Sequence, residues 1–161
     1  MRHTISLLVE NKFGVLSRVS GLFSGRGYNI ESISVGETID PAIAQMTIVT
    51  TGDDQIIEQI TKQLNNLIDT IRVTDMTELN HVEREMILLK VKPRAEKKLE
   101  VIELANIFRG KVIDSSEKTL TIEITGDENK LRAFINLMKP MGIQELVRTG
   151  KVAIAREGTG Q

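Results

Sequence analysis

The sequence predicts an α+β fold built from two tandem ferredoxin-like βαββαβ sandwiches. Two observations carry this reading. Strand-type apolar runs and helix-type spacing alternate in that order twice along the chain. The punctuation Thr51-Gly52-Asp53, at the junction of a third strand and a second helix, returns as Thr125-Gly126-Asp127. A length of 161 residues allows one domain or two small ones. The repeat favours two, residues 1–78 and residues 79–161, with a short connector near Leu79 to Val82.

In the first half, Ile5 to Val9 is an apolar strand with Ser6 as its polar break. Gly14 to Arg26 carries Leu16, Val19, Leu22 and Phe23 at helical spacing, and Gly27 suits the left-handed position that ends a helix. Ile30 to Val35 alternates at period two. Ile39-Asp40-Pro41-Ala42 signals a turn, and Ala44, Met46, Ile48 and Thr50 alternate in a third strand. Asp53 is placed to cap a second helix lined by Ile56, Ile57, Ile60, Leu64 and Leu67. Thr70 to Met76 supplies the fourth strand.

The second half repeats the order. Glu85 to Lys92 is a strand closed by Pro93, and Ala95 to Phe108 is helical, with Gly110 following it as Gly27 follows the first helix. Lys111 to Asp114 and Thr119 to Thr125 form a hairpin across Ser115–Lys118. Asp127 precedes a helix with Leu131, Phe134, Ile135 and Met138 inward, ended by Pro140. Gln144 to Val147 and Val152 to Ala155 are strand-like, and Gly158 to Gln161 reads as a loose tail. Each unit has helices on one sheet face and a bare face on the other. That bare face and the small size of each unit predict pairing between copies or chains.

Composition excludes several function classes. Basic and acidic residues number 21 and 22, giving a net charge of −1, which argues against a polyanion-binding role. Aromatics are 3% of the chain, so the core rests on Ile, Leu, Val and Met. Without cysteine there is no disulfide, thiolate nucleophile or cysteine-ligated zinc. No run approaches the ~20 apolar residues of a membrane span, and the N-terminus reads as a strand. A cytoplasmic protein is expected.

No motif in the chain carries catalytic chemistry. His3 and His81 sit far apart at strand starts and read as solvated residues, so no metal site is expected. Serines lack a nucleophile elbow. Gly25-Arg26-Gly27 fails as a dinucleotide fingerprint, because Ile30 occupies the third glycine position and a strand follows. Asp53-Asp54 reads as a helix cap, and Glu83 and Glu85 as a solvent-facing strand edge. The βαββαβ order is shared with RNA-recognition modules, but the third strand carries none of the aromatics on which bases stack.

The run from Asn11 to Ile39 is the most informative. A polar residue, a glycine and a helix start follow directly on a buried strand, and a second asparagine opens the next strand. Free N–H groups at a helix start, with amides nearby, can hold a small zwitterion but offer it no chemistry. Each asparagine and glycine taken singly is also ordinary turn chemistry. Read jointly, they are expected to cluster around one helix N-terminus, within one region of the sheet, as the site of a sensor.

Asn11-x-x-Gly14-Val15-Leu16, followed by Arg26-Gly27-Tyr28-Asn29-Ile30-Glu31-Ser32, resembles the opening of an ACT domain. With His81–Glu85, Phe108–Asp114 and Val147-x-x-Gly150, the chain resembles the small regulatory subunit family of acetohydroxyacid synthase (acetolactate synthase) over nearly its full length. The resemblance implies a noncatalytic subunit of branched-chain amino acid biosynthesis, the pathway to valine and isoleucine. It would bind valine, activate a separate catalytic subunit and confer feedback inhibition. The effector would lie between two ACT domains of a homodimer. Asn11, Gly14, Val15 and Leu16 of one chain would meet Asn29 and Ile30 of the other. No catalytic residue, metal or cofactor is implied here; thiamine diphosphate, FAD and magnesium belong to the catalytic partner. Position 36 is glycine where relatives often carry alanine, implying looser packing nearby. The second domain lacks an Asn-x-x-Gly loop and reads as serving assembly or partner contact. The competing readings are a freestanding amino-acid sensor serving another system, and an enzyme built from residues read here as structural.

Overall fold

The structure is a computed structural model in which residues 1–158 are described; of the expected tail, 159–161 lie outside the described residues. The chain divides into two units, Met1–Val82 with Lys151 onward, and Glu83–Gly150.

The first unit runs β1 (Arg2–Glu10), α1 (Val15–Gly25), β2 (Ile30–Glu37), β3 (Ile43–Thr51), α2 (Asp54–Asn66) and β4 (Thr70–Asp75). Its strands lie in the order β2-β3-β1-β4, and every pairing is antiparallel. Alternation sends Ile5, Leu7 and Val9 of β1, with Ala44, Met46 and Ile48 of β3, toward the helices. There they meet Val15, Val19 and Phe23 of α1 and Ile57, Ile60 and Leu64 of α2. Asp53 accepts the Ile56 N–H at 3.0 Å, as its position before the helix predicts. The expected bare face is not bare at its centre. Thr4, Ser6, Thr47 and Val49 there are all buried. The late strand β9 (Val152–Ala155) approaches both central strands, β1 and β3, and so lies across that face. Small hydroxyl side chains leave room for it. The C-terminal strand therefore completes the first unit.

The second unit comprises β5 (His81–Val91) from Glu83 on, a 3₁₀ turn (Ala95–Lys97), α3 (Lys98–Ile107), β6 (Lys111–Ser115), β7 (Leu120–Gly126), α4 (Glu128–Met138), a 3₁₀ turn (Lys139–Met141) and β8 (Ile143–Arg148). The order β6-β7-β5-β8 repeats the first sheet. Its core joins Ile87, Leu89 and Val91 to Val101, Ala105, Leu131, Phe134 and Met138, with Phe108 edge-on to Phe134 at 5.3 Å. Asp127 caps α4 through the Lys130 N–H at 2.9 Å.

The end of α3 differs from its expected form. Both α1 and α3 close with the paired bonds of a Schellman motif. Tyr28 and Gly27 N–H bond to Phe23 and Ser24 carbonyls, and Gly110 and Arg109 N–H bond to Ala105 and Asn106 carbonyls. In α1 the left-handed residue is Gly27, but in α3 it is Arg109, at φ 59°. Gly110 stands one residue later for a different reason. A Cβ there would lie 3.1 Å from the Glu123 carbonyl oxygen and 3.3 Å from Ile122. Close approach of β7, not backbone handedness, calls for its glycine.

Two polar expectations are also corrected. His3 is buried at 6% exposure because inward alternation along β1 carries it beneath α2. Its Nδ1 lies 3.0 Å from Asp75 and its Nε2 3.3 Å from Asp54. Glu85 is likewise buried, at 7% exposure, and accepts from Arg148 Nη1 at 3.0 Å, so it is not a solvent-facing edge residue.

Candidate functional site

The N-terminus of α1 is built differently from those of α2 and α4. Gly14 occupies the N-cap position at φ 85°, and no side chain caps the helix. The Val15 N–H reaches the Lys12 carbonyl only at 3.4 Å, and the first helical bond is from Arg18 N–H to Gly14 at 3.0 Å. Helix geometry leaves the N–H groups of Leu16 and Ser17 directed outward. The helix dipole makes this end favourable for an anion. Val15 packs into the core, while Leu16 is half exposed.

Asn11 braces the loop leading to this helix. Its Nδ2 donates to the Pro41 carbonyl at 2.9 Å and its backbone N–H to Ala42 at 2.8 Å, tying the loop to the β2–β3 turn. Its amide oxygen has no hydrogen-bond partner among the described residues. Lys12 pairs with Glu10 at 2.7 Å, and that hydrogen bond and charge hold its ammonium above the ordinary lysine range.

Asn29 and Ile30 lie elsewhere. Ile30 is in register with Thr50, and Thr50 with His3, near the start of β1. Thr50 also donates from Oγ1 to the Asn29 carbonyl at 2.9 Å. The Asn11 loop follows Glu10, at the other end of β1. Seven residues of strand, roughly 23 Å at 3.3 Å per residue, separate the two positions within one chain. The expected single cluster around one helix start is therefore not formed inside a chain. The reason is simple: α1 runs its full length between the two sets of residues.

What does adjoin the Asn11 loop in the same chain is the far end of β2. Glu37 is in register with Ala44, and Ala44 with Val9. β2 is an edge strand, and its Val35 is 48% exposed. A Cβ on Gly36 would meet nothing within 4 Å, so alanine fits there in the single chain.

A model of the AHAS small subunit-like ACT domain matches residues 5–72, and one of the small subunit of acetolactate synthase matches residues 84–157. The chain belongs to the acetolactate synthase small-subunit family. A probable acetolactate synthase small subunit of Archaeoglobus fulgidus is 55% identical over 97% of this chain and 98% of its own length. An acetolactate synthase small subunit of Aquifex aeolicus is 54% identical over 97% of this chain and 82% of its own. The crystal structure of the Thermotoga maritima acetolactate synthase small subunit superposes with a TM-score of 0.87 at 46% identity, covering 97% of this chain and 98% of that one. The ACT domain and the family together support a regulatory role.

Within this small subunit, two residues beside the loop escaped the sequence reading. Arg18 donates from Nε and Nη2 to one carboxylate oxygen of Asp69, at 3.0 and 2.6 Å. Asp69 is buried, and its carbonyl accepts from Glu10 N–H at 2.8 Å. The available signal was the four-residue spacing from Gly14 to Arg18, which sets the arginine over the glycine on one helix face. Separately, a groove of about 600 Å³ in the second unit is lined by residues including Lys92, Arg94, Leu104, Asn136 and Met141. None of the six expected effector residues lines it. Among the described residues, no group of three or more His, Cys, Asp or Glu side chains gathers to hold a metal, and no helix is long and apolar enough to cross a membrane.

Proposed function

We propose that this chain is the noncatalytic subunit that activates the acetolactate synthase catalytic subunit and makes it sensitive to valine, which binds between two ACT domains of a homodimer. The observation that supports this reading is the separation of the two halves of the site. Asn11, Gly14, Val15 and Leu16 stand at one end of the sheet, Asn29 and Ile30 at the other, and β2 is a free edge. A two-fold pairing of β2 with β2 of a second copy runs the strands antiparallel. The start of each β2 then lies beside the end of its neighbour. Since the end of β2 adjoins the Asn11 loop, Asn29 and Ile30 of one copy arrive at Asn11–Leu16 of the other. Two such composite sites form per dimer.

In each, the valine carboxylate faces the open N–H groups at the start of α1, and the amides of Asn11 and Asn29 hold the polar end. Leu16 and Ile30 line the apolar slot. Such a slot separates branched-chain side chains by only about 1–3 kcal/mol per methylene, so leucine and isoleucine cross-bind. Because both copies form each site, valine favours one arrangement of the pair, with a coupling of about 1–3 kcal/mol. Effector binding is assigned to the domain at residues 1–78, and assembly or partner contact to residues 79–161. Thiamine diphosphate, FAD and magnesium are assigned to the catalytic partner.

The test is to mix the protein with a purified acetolactate synthase catalytic subunit. A higher rate that valine then suppresses is expected. An unchanged rate and unchanged valine sensitivity would reject the assignment.

A further inference from the structure

Arg18 lies four residues after Gly14, and side chains on a helix lean toward its N-terminus, so its guanidinium folds back over the glycine. A Cβ built on Gly14 would stand 3.0 Å from Arg18 Nη1. The two bonds to Asp69 use Nε and Nη2, and Nη1 has no hydrogen-bond partner among the described residues. Asp69, itself buried, holds the half-exposed guanidinium by two bonds to one oxygen, with Nη1 beside the uncapped helix start. An arginine cannot shed its charge at physiological pH, and its planar fork matches a carboxylate. A backbone helix start alone attracts any anion or polar acceptor. A cation held beside it separates a carboxylate from a neutral group of the same shape.

Resting on the effector reading above, we propose that Arg18, oriented by Asp69, is the specificity-determining residue that selects an effector bearing a free carboxylate. Asp69 acts through Arg18 and is a positioning residue. The Glu10–Asp69 backbone bond keeps this pair at a fixed distance from the loop.

The experiment compares two ligands by calorimetry: valine, and valinamide, which keeps the amine and isopropyl group but replaces the carboxylate by a neutral amide. The intact full-length protein is expected to bind valine far more tightly than valinamide. In Arg18→Met, the ratio of the two affinities is expected to fall at least about tenfold, because valine loses a charged partner and valinamide does not. Arg18→Lys keeps the charge without the fork and falls between. A purely structural role would weaken both ligands by one common factor, leaving the ratio intact, and would overturn the proposal. So would unchanged affinities in Arg18→Met. If the unaltered protein binds neither ligand, the effector reading itself fails, and this inference with it.

Discussion

Gly14→Ala puts the effector loop under direct test. At φ 85° an L-residue meets a steric cost of about 1–2 kcal/mol, which glycine avoids. The new methyl also lies 3.0 Å from Arg18 Nη1, so the guanidinium must give by a few tenths of an ångström while keeping its bonds to Asp69. The stability loss is therefore set by backbone strain, about 1–2 kcal/mol. At roughly 2–4 °C per kcal/mol for a chain of this size, the melting temperature falls by about 2–8 °C. Valine binding suffers more than stability does, because the methyl and the displaced guanidinium both enter the space of the ligand carboxylate. An affinity loss of more than about tenfold, or 1.4 kcal/mol, is expected by calorimetry. Gly142→Ala separates the two effects. Gly142 is also left-handed, at φ 87°, and a Cβ there would sit 3.1 Å from the Lys92 carbonyl oxygen, but it belongs to the second unit. It should lose at least as much thermal stability and keep its valine affinity. Equal valine losses in the two variants would refute the reasoning, as would unaltered binding in Gly14→Ala.

Arg109→Gly should raise stability by about 0.5–1 kcal/mol, since relief of left-handed strain exceeds the added entropy of the unfolded chain, whereas Gly110→Ala should lower it by about 1–3 kcal/mol through crowding against β7. Thermal melts of the two adjacent variants must therefore move in opposite directions. Asp53→Ala and Asp127→Ala each remove an N-cap bond and should cost about 1 kcal/mol in denaturant unfolding; no change in either midpoint would mean the cap is not formed in solution. Val35→Lys puts one charge on the exposed edge of each β2, so that two like charges meet when two copies pair, and sedimentation should show a weaker dimer. A dimer of undiminished strength would remove β2 from the contact.

Much of the fold was legible because its signals are local. Asp53 and Asp127 cap the helices that follow them, and the inward faces of α2 and α4 follow from spacing alone. Residues whose roles depend on register were misread. His3 and Glu85 look like solvated strand residues until alternation and pairing carry them inward against Asp75 and Arg148. The close approach of β7 to Gly110 is a tertiary fact with no local mark. For the site, both half-clusters were visible as residue types, but their separation was not drawn from the pattern. An eleven-residue α1 spans roughly 16 Å and carries the chain to the opposite end of the sheet before β2 begins. Arg18 was passed over because a lone arginine in an amphipathic helix reads as solvated surface, and only the fold brings Asp69 beneath it.

Subunit complementation tests the shared site most directly. Gly14→Asp damages the loop half and Asn29→His the strand half, and each homodimer alone should fail to bind valine. When the two are unfolded together and refolded at equal concentration, half the dimers are mixed. Every mixed dimer pairs one intact loop with one intact strand start, restoring about a quarter of the original sites. Calorimetry showing that recovery, at near-original affinity, is the predicted result. Valine binding that stays absent in verified mixed dimers would contradict a site made by two chains.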